Sequence, residues 1–186
     1  MGIPGAGKGR VADDYVTRGF VRLNRDERGG SLRDLADTLE ETLSSGARRI
    51  VLDNTYLTRA SRSYVIEAAG RHGAPARCAW LDTPLAQAQV NLVERLLDRL
   101  GSLPTPEEVR ALARRADGVL APTSQMRALR ELEPPSIDEG WASVEQVPFA
   151  RAGASHALGA GVIVAAGVLT QAGWKEAVQQ LSLIHI

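Results

Sequence analysis

The sequence predicts an α/β fold, a parallel sheet flanked by helices, and three observations carry that reading. Short apolar runs alternate with amphipathic stretches of helical spacing along most of the 186 residues. A glycine-rich loop ending in lysine opens the chain. Several apolar runs end in polar clusters, and in a parallel sheet the loops at strand carboxyl ends are where sites form.

The elements follow in order. Residues 10–18 read as a helix behind the loop, and residues 20–23 as a first strand. Residues 31–43 carry Leu32, Leu35, Ala36, Leu39 and Leu43 at helical spacing. A second strand is expected at 49–52, a helix at 58–72 and a third strand at 76–81. Thr83-Pro84 and Thr105-Pro106-Glu107-Glu108 have the form of helix caps with their first turns. Residues 1–151 form one expected domain. Residues 152–180 read as a small-residue linker and the start of a second domain, cut off. The last six residues, 181–186, look like a translated sequencing adapter and are set aside.

Composition narrows the function classes. Acidic and basic side chains number 22 each, so there is no net charge and any surface for a polyanion has to be local. All but two of the basic residues are arginine, which singles out Lys8. A lone cysteine, Cys78, cannot form an internal disulfide and sits in an apolar run as a core residue. No secretory signal pattern is present, so the expected compartment is the cytoplasm. The longest apolar stretch, 157–169, falls short of the ~20 residues that cross a bilayer, and no membrane span is expected. His72 reads as a helix end, and no Cys/His spacing suggests zinc.

Gly2-Ile-Pro-Gly5-Ala6-Gly7-Lys8-Gly9 has the G-x-x-x-x-G-K spacing of a phosphate-binding loop. Glycines let successive amides face an anion, the helix beginning near Arg10 adds its positive end, and Lys8 reaches the terminal phosphates. ATP is the expected ligand, held by Gly2, Gly5, Ala6, Gly7, Lys8, Gly9 and Arg10. On its own the pattern also fits a glycine-rich turn. The position after the lysine normally supplies a hydroxyl to Mg2+, and here it is Gly9. The strand that feeds such a loop is missing from the sequence. The expected class is therefore an α/β fold of the P-loop NTPase type without its first strand.

Asn24-Arg25-Asp26-Glu27-Arg28 follows the first strand directly. A carboxylate there suits a general base on an attacking hydroxyl, and Arg25 and Arg28 suit an acceptor phosphate. The competing reading is a solvated turn in which Asp26 or Ser31 caps the next helix. Asp53-Asn54-Thr55 ends the second strand, so Asp53 suits a magnesium role through water, with Asn54 and Thr55 toward substrate. Asp53 also suits a helix cap. Asn91, Arg95 and Arg99 share one helical face, either as an arginine-bearing lid or as a salt-bridged surface with Glu94 and Asp98.

These blocks in this order resemble the kinase domain of polynucleotide kinases, including the kinase half of polynucleotide kinase-phosphatases. The resemblance rests on Gly2-Ile-Pro-Gly-Ala-Gly-Lys8, Asn24-Arg-Asp26, Val51-Leu-Asp53-Asn-Thr55, Gln89-Val-Asn91 through Arg95, and Leu132-Glu-Pro-Pro135 with Glu139-Gly140 and Val147-Pro-Phe149. It covers residues 1 to about 149. It implies that Lys8 binds the donor phosphates and Asp26 is the base on a 5′-hydroxyl. Asp53 would organise Mg2+, Arg95 would be the lid arginine, and Arg28 would meet the acceptor phosphate. Gly9 and an offset arginine after Asp26 depart from the pattern. The implied activity is ATP-dependent phosphoryl transfer to a nucleic-acid 5′ end. The alternatives are a small-molecule hydroxyl as acceptor, or an impaired ATP-binding module motivated by Gly9. A truncated phosphatase after residue 151 is the corresponding conjecture for the second domain.

Overall fold

The computed structural model describes residues 1–102, 104–105, 107–109, 111 and 122–149. The expected linker, second domain and adapter lie outside these residues. Helix α1 (Lys8–Thr17) leads into strand β1 (Val21–Leu23), followed by a single helical turn, α2 (Arg25–Arg28), and by α3 (Leu32–Ser44). Strand β2 (Ile50–Leu52), α4 (Arg59–Arg71) and β3 (Arg77–Leu81) come next. Helices α5 (Leu85–Leu100) and α6 (Pro122–Glu131), a 3₁₀ turn at Ile137–Glu139 and strand β4 (Ser143–Val147) complete the described part.

Local chemistry explains the boundaries. Helix α1 begins at Lys8, earlier than the sequence suggests, because Gly7 is in the left-handed region at φ 92° and turns the loop directly into the helix. Ser31 and Asp34 form a reciprocal capping box at α3, and Thr58 and Ser61 form one at α4. His72 stands at the C-cap of α4, as expected. Thr105 and Glu108 exchange the reciprocal bonds of a third capping box. Cys78 is buried in β3.

The strands pair in parallel, as expected, but as two separate pairs. β1 pairs with β2 in register Val21↔Ile50 to Leu23↔Leu52. β3 pairs with β4 from Arg77↔Ser143 to Leu81↔Val147. Between the pairs lies a cleft of about 490 Å³, lined by Leu39, Leu43, Ile50, Leu52, Val65 and Cys78 among others. The start of the chain bridges the pairs at their carboxyl ends: Leu81 N–H donates to the Met1 carbonyl at 2.9 Å, and Gly2 N–H to the Thr55 carbonyl at 3.2 Å. No described strand lies between β2 and β3 to satisfy both edges, which is why one sheet becomes two.

Two apolar clusters fill the interior. Leu35, Ala36 and Leu39 of α3 meet Val65 and Ala68 of α4 over Leu23. Ile3 and Ala6 of the opening loop pack with Leu81, Ala88 and Ala128. The loop is therefore seated on core, with its apolar side chains fixed from below.

Candidate functional site

Three side chains from separate elements grip consecutive carbonyls of the loop. Gln125 Nε2 donates to the Pro4 carbonyl at 3.0 Å, Asn91 Nδ2 to the Gly5 carbonyl at 2.8 Å, and Thr83 Oγ1 to the Ala6 carbonyl at 3.0 Å. The first-turn amides of α1 have no intrahelical acceptors, so the head of the helix stands ready for an anion. Thr83 is thus not the helix cap that the sequence suggests. Its hydroxyl is committed to the loop, and the N-cap of α5 is Pro84, without a side-chain bond. Asn91→Leu is expected to strand the Gly5 carbonyl at a cost of about 1–3 kcal/mol and to lower phosphate affinity; thermal melts with and without ATP measure both.

Lys8 stands at the centre of the site. Its ammonium donates to the Gly2 and Ile3 carbonyls at 3.1 and 2.9 Å. Burial pulls its pKa down from 10.5 to about 8; the charge of Asp53 opposes that shift, Arg95 adds to it, and Asp26 opposes it. Residues from the ends of β1 and β2 and from α5 are therefore within electrostatic reach of the one lysine.

The turns after β1 and β2 are laced together by two asparagines. Asn24 accepts from Asp26 N–H at 2.7 Å, capping α2, and its amide donates to Asp53 Oδ2 at 3.2 Å. Arg25 N–H donates to Asn54 Oδ1 at 3.1 Å. Asn24, not Asp26, therefore makes the cap, and Ser31 caps the helix after it. That leaves the exposed Asp26 carboxylate to pair with Arg25 at 3.1 Å. Asp53, at 6% side-chain exposure, is paired with Arg22, and the cap of α4 falls to Thr58.

The other sequence candidates are distributed unevenly. Gly2, Gly5, Ala6, Gly7 and Gly9 build the loop and the first turn of α1. Arg10, Arg28 and Arg95 are exposed, and Asn54 is buried as the brace just described. Thr55 is half-buried, with its carbonyl bonded to Gly2. Four site residues had no functional reading in the sequence. Arg22 sits inside an apolar strand, Asn24 opens a generic polar cluster, Thr83 mimics a cap, and Gln125 lies in a polar run without a pattern.

P-loop kinases generally work with ATP and Mg2+, so the donor set bears on the metal. A Cβ built on Gly9 lies 3.8 Å from Arg22 Nη2 and 3.9 Å from Asp53 Oδ2. Residue 9 therefore faces the right place but offers no hydroxyl, and Asp53 Oδ2 already accepts from Arg22 and Asn24. Among the described residues no group of three or more His, Cys, Asp or Glu is arranged to hold a metal. These donors do not fit a resident Mg2+ at this position.

Residues 1–118 match the family model described as an AAA domain. Over 150 residues, 80% of this chain, the sequence is 27% identical to the "Bifunctional polynucleotide phosphatase/kinase" of Schizosaccharomyces pombe (strain 972 / ATCC 24843). The chain spans 32% of that protein's length. No helix among the described residues is long and apolar enough to cross a membrane. The family match takes in the opening loop, the Asp26 turn and Arg95, and on it the chain belongs to the AAA domain family as a polynucleotide-kinase-like P-loop domain.

Proposed function

We propose that this domain transfers the terminal phosphoryl group of ATP to a 5′-hydroxyl end of a nucleic acid. The observation that carries the reading is the bracing of the Asp26 turn against the loop: Asn24 accepts from Asp26 N–H and donates to Asp53 Oδ2, which lies 3.9 Å from the Cβ position of residue 9, next to Lys8. Lys8 and the first-turn amides of α1 hold the donor phosphates. Asp26, exposed at the end of β1, takes the proton from the attacking hydroxyl. Arg95 on α5 offsets charge on the phosphoryl group in flight, and Arg25 and Arg28 receive the acceptor phosphate. Such catalysis is mostly positioning and charge stabilisation.

Transfer of labelled phosphate from ATP to 5′-hydroxyl oligonucleotides tests the proposal. Asp26→Asn is expected to lower the rate by about 10²- to 10⁴-fold with ATP affinity unchanged; a variant as fast as its parent removes the base. A nucleic-acid acceptor also predicts a KM for oligonucleotide that rises steeply with salt, because phosphate contacts release counterions. A second reading, nucleotide binding without transfer, is favoured by Gly9 and by the engagement of Asp53 with Arg22. ATP binding with no labelled product from any acceptor selects it.

A further inference from the structure

We propose that Arg22 is the resident cation of the phosphate site, so that the domain binds nucleotide without a divalent metal. The inference rests on the nucleotide-binding reading above. It starts from the position of the guanidinium. Arg22 Nη2 pairs with Asp53 Oδ2, Nη1 with Asp13 at 3.0 Å, and Nε lies 3.9 Å from Glu27. Carboxylates from α1, α2 and the end of β2 thus converge on one arginine in the middle of β1. The same Nη2 lies 3.8 Å from where a side chain on residue 9 would begin. The guanidinium therefore lies beside both residue 9 and Asp53, next to the helix turn whose amides meet the anion.

The charges make this more than an internal salt bridge. A metal ion entering here would have to compete with the guanidinium for Asp53 Oδ2, and Gly9 supplies no hydroxyl in return. The planar set of donors on the guanidinium suits phosphate oxygens as well as carboxylates. At 26% side-chain exposure it is reachable from the site yet held by its partners. A cation carried by the protein needs no ion from solution. It also explains why Gly9 is tolerated: nothing here requires the hydroxyl.

The test is the ATP dissociation constant of the full chain, by calorimetry or equilibrium dialysis, in excess EDTA and in excess Mg2+. The parent is expected to change by less than about threefold between the two conditions. Arg22→Gln is expected to bind about tenfold more weakly in EDTA, the effect of one lost charge-assisted hydrogen bond, and to recover with Mg2+. Arg22→Lys keeps a cation and is expected to keep most of the metal-free binding. Gly9→Ser guards against an Arg22 variant that fails to fold. Gly9 is helical with room at its Cβ position, and the serine is expected to confer no Mg2+ dependence while Arg22 is present.

A parent that loses tenfold or more in EDTA overturns the proposal. So does an Arg22→Gln protein that binds in EDTA like its parent, or a Gly9→Ser protein that gains tenfold from Mg2+. ATP binding in neither condition overturns the nucleotide reading itself, and this proposal with it.

Discussion

Replacing Arg62 by methionine is expected to cost about 3–5 kcal/mol, a large share of the ~5–15 kcal/mol that holds a small domain together. The Arg62 and Glu139 side chains are 1% and 3% exposed, and two parallel bonds of 2.6 Å join them. The remaining guanidinium nitrogen donates to the carbonyls of Tyr56, Leu57 and Glu133 at 3.2, 3.2 and 2.9 Å. One side chain thereby fastens the turn after Asp53-Asn54-Thr55 and the Glu-Pro-Pro segment to α4. Removing it leaves a buried carboxylate without its ion-pair partner and the Tyr56 and Glu133 carbonyls without this donor, while the Leu57 carbonyl keeps the Glu133 N–H. The double variant Arg62→Met with Glu139→Gln is expected to recover part of the loss, because the uncompensated charge goes too. Urea unfolding of the three proteins measures this, and a single variant within about 1 kcal/mol of its parent would refute it.

The same pair sets a pH dependence. Hydrogen bonds from Arg62, helped by the Ser136 backbone, hold the Glu139 carboxyl below the ordinary 4.5. On acidification the unfolded chain takes up this proton first. The stabilisation is complete above the ordinary carboxylate value and disappears as pH falls through the lower, folded one. The unfolding free energy of the parent is therefore expected to fall more steeply below pH ~5 than that of the double variant.

Gly5→Ala is the second large effect. At φ 82° an added Cβ would lie 2.4 Å from the Ala88 carbonyl oxygen and 2.7 Å from Gln125 Nε2. The residue would be strained in its backbone by about 1–2 kcal/mol and would also push away the helix and the glutamine that shape the loop, for about 1–3 kcal/mol more. Gly19 is an internal control: its φ is 83°, but nothing lies within 4 Å of its Cβ position. Gly19→Ala should show the backbone strain alone. Gly5→Ala should melt below it and lose at least about tenfold in ATP affinity, because the displaced carbonyls no longer orient the amides. Equal melting and binding in the two variants would refute the close-packing argument.

Much of this fold is legible in local sequence because local chemistry produces it. The Ser31 and Thr58 caps and the leucine stripe of α3 each rest on neighbours a turn away. Strands β1, β2 and β3 lie within a residue of their apolar runs. β4 escapes such reading: Ser143-Val-Glu-Gln-Val has no continuous apolar run, and its place is set by pairing with β3, 66 residues earlier by the register Arg77↔Ser143. Thr83 shows the opposite error, since a threonine before a proline has the form of a cap until the Ala6 carbonyl is found beside it.

What residues 1–149 determine by themselves is the chemistry available: a lysine after a glycine loop, an aspartate at each of two strand ends, and an arginine on a helical face. Spacing along the chain suffices for that, because backbone conformation and side-chain periodicity are short-range properties. Which carboxylate is engaged, which carbonyls are gripped and where a cation already stands were decided only in three dimensions. Arg22 meets Asp53 across 31 residues and Gln125 meets Pro4 across 121. Charge and hydrogen bonding act through space, so partners that distant leave no trace in local pattern.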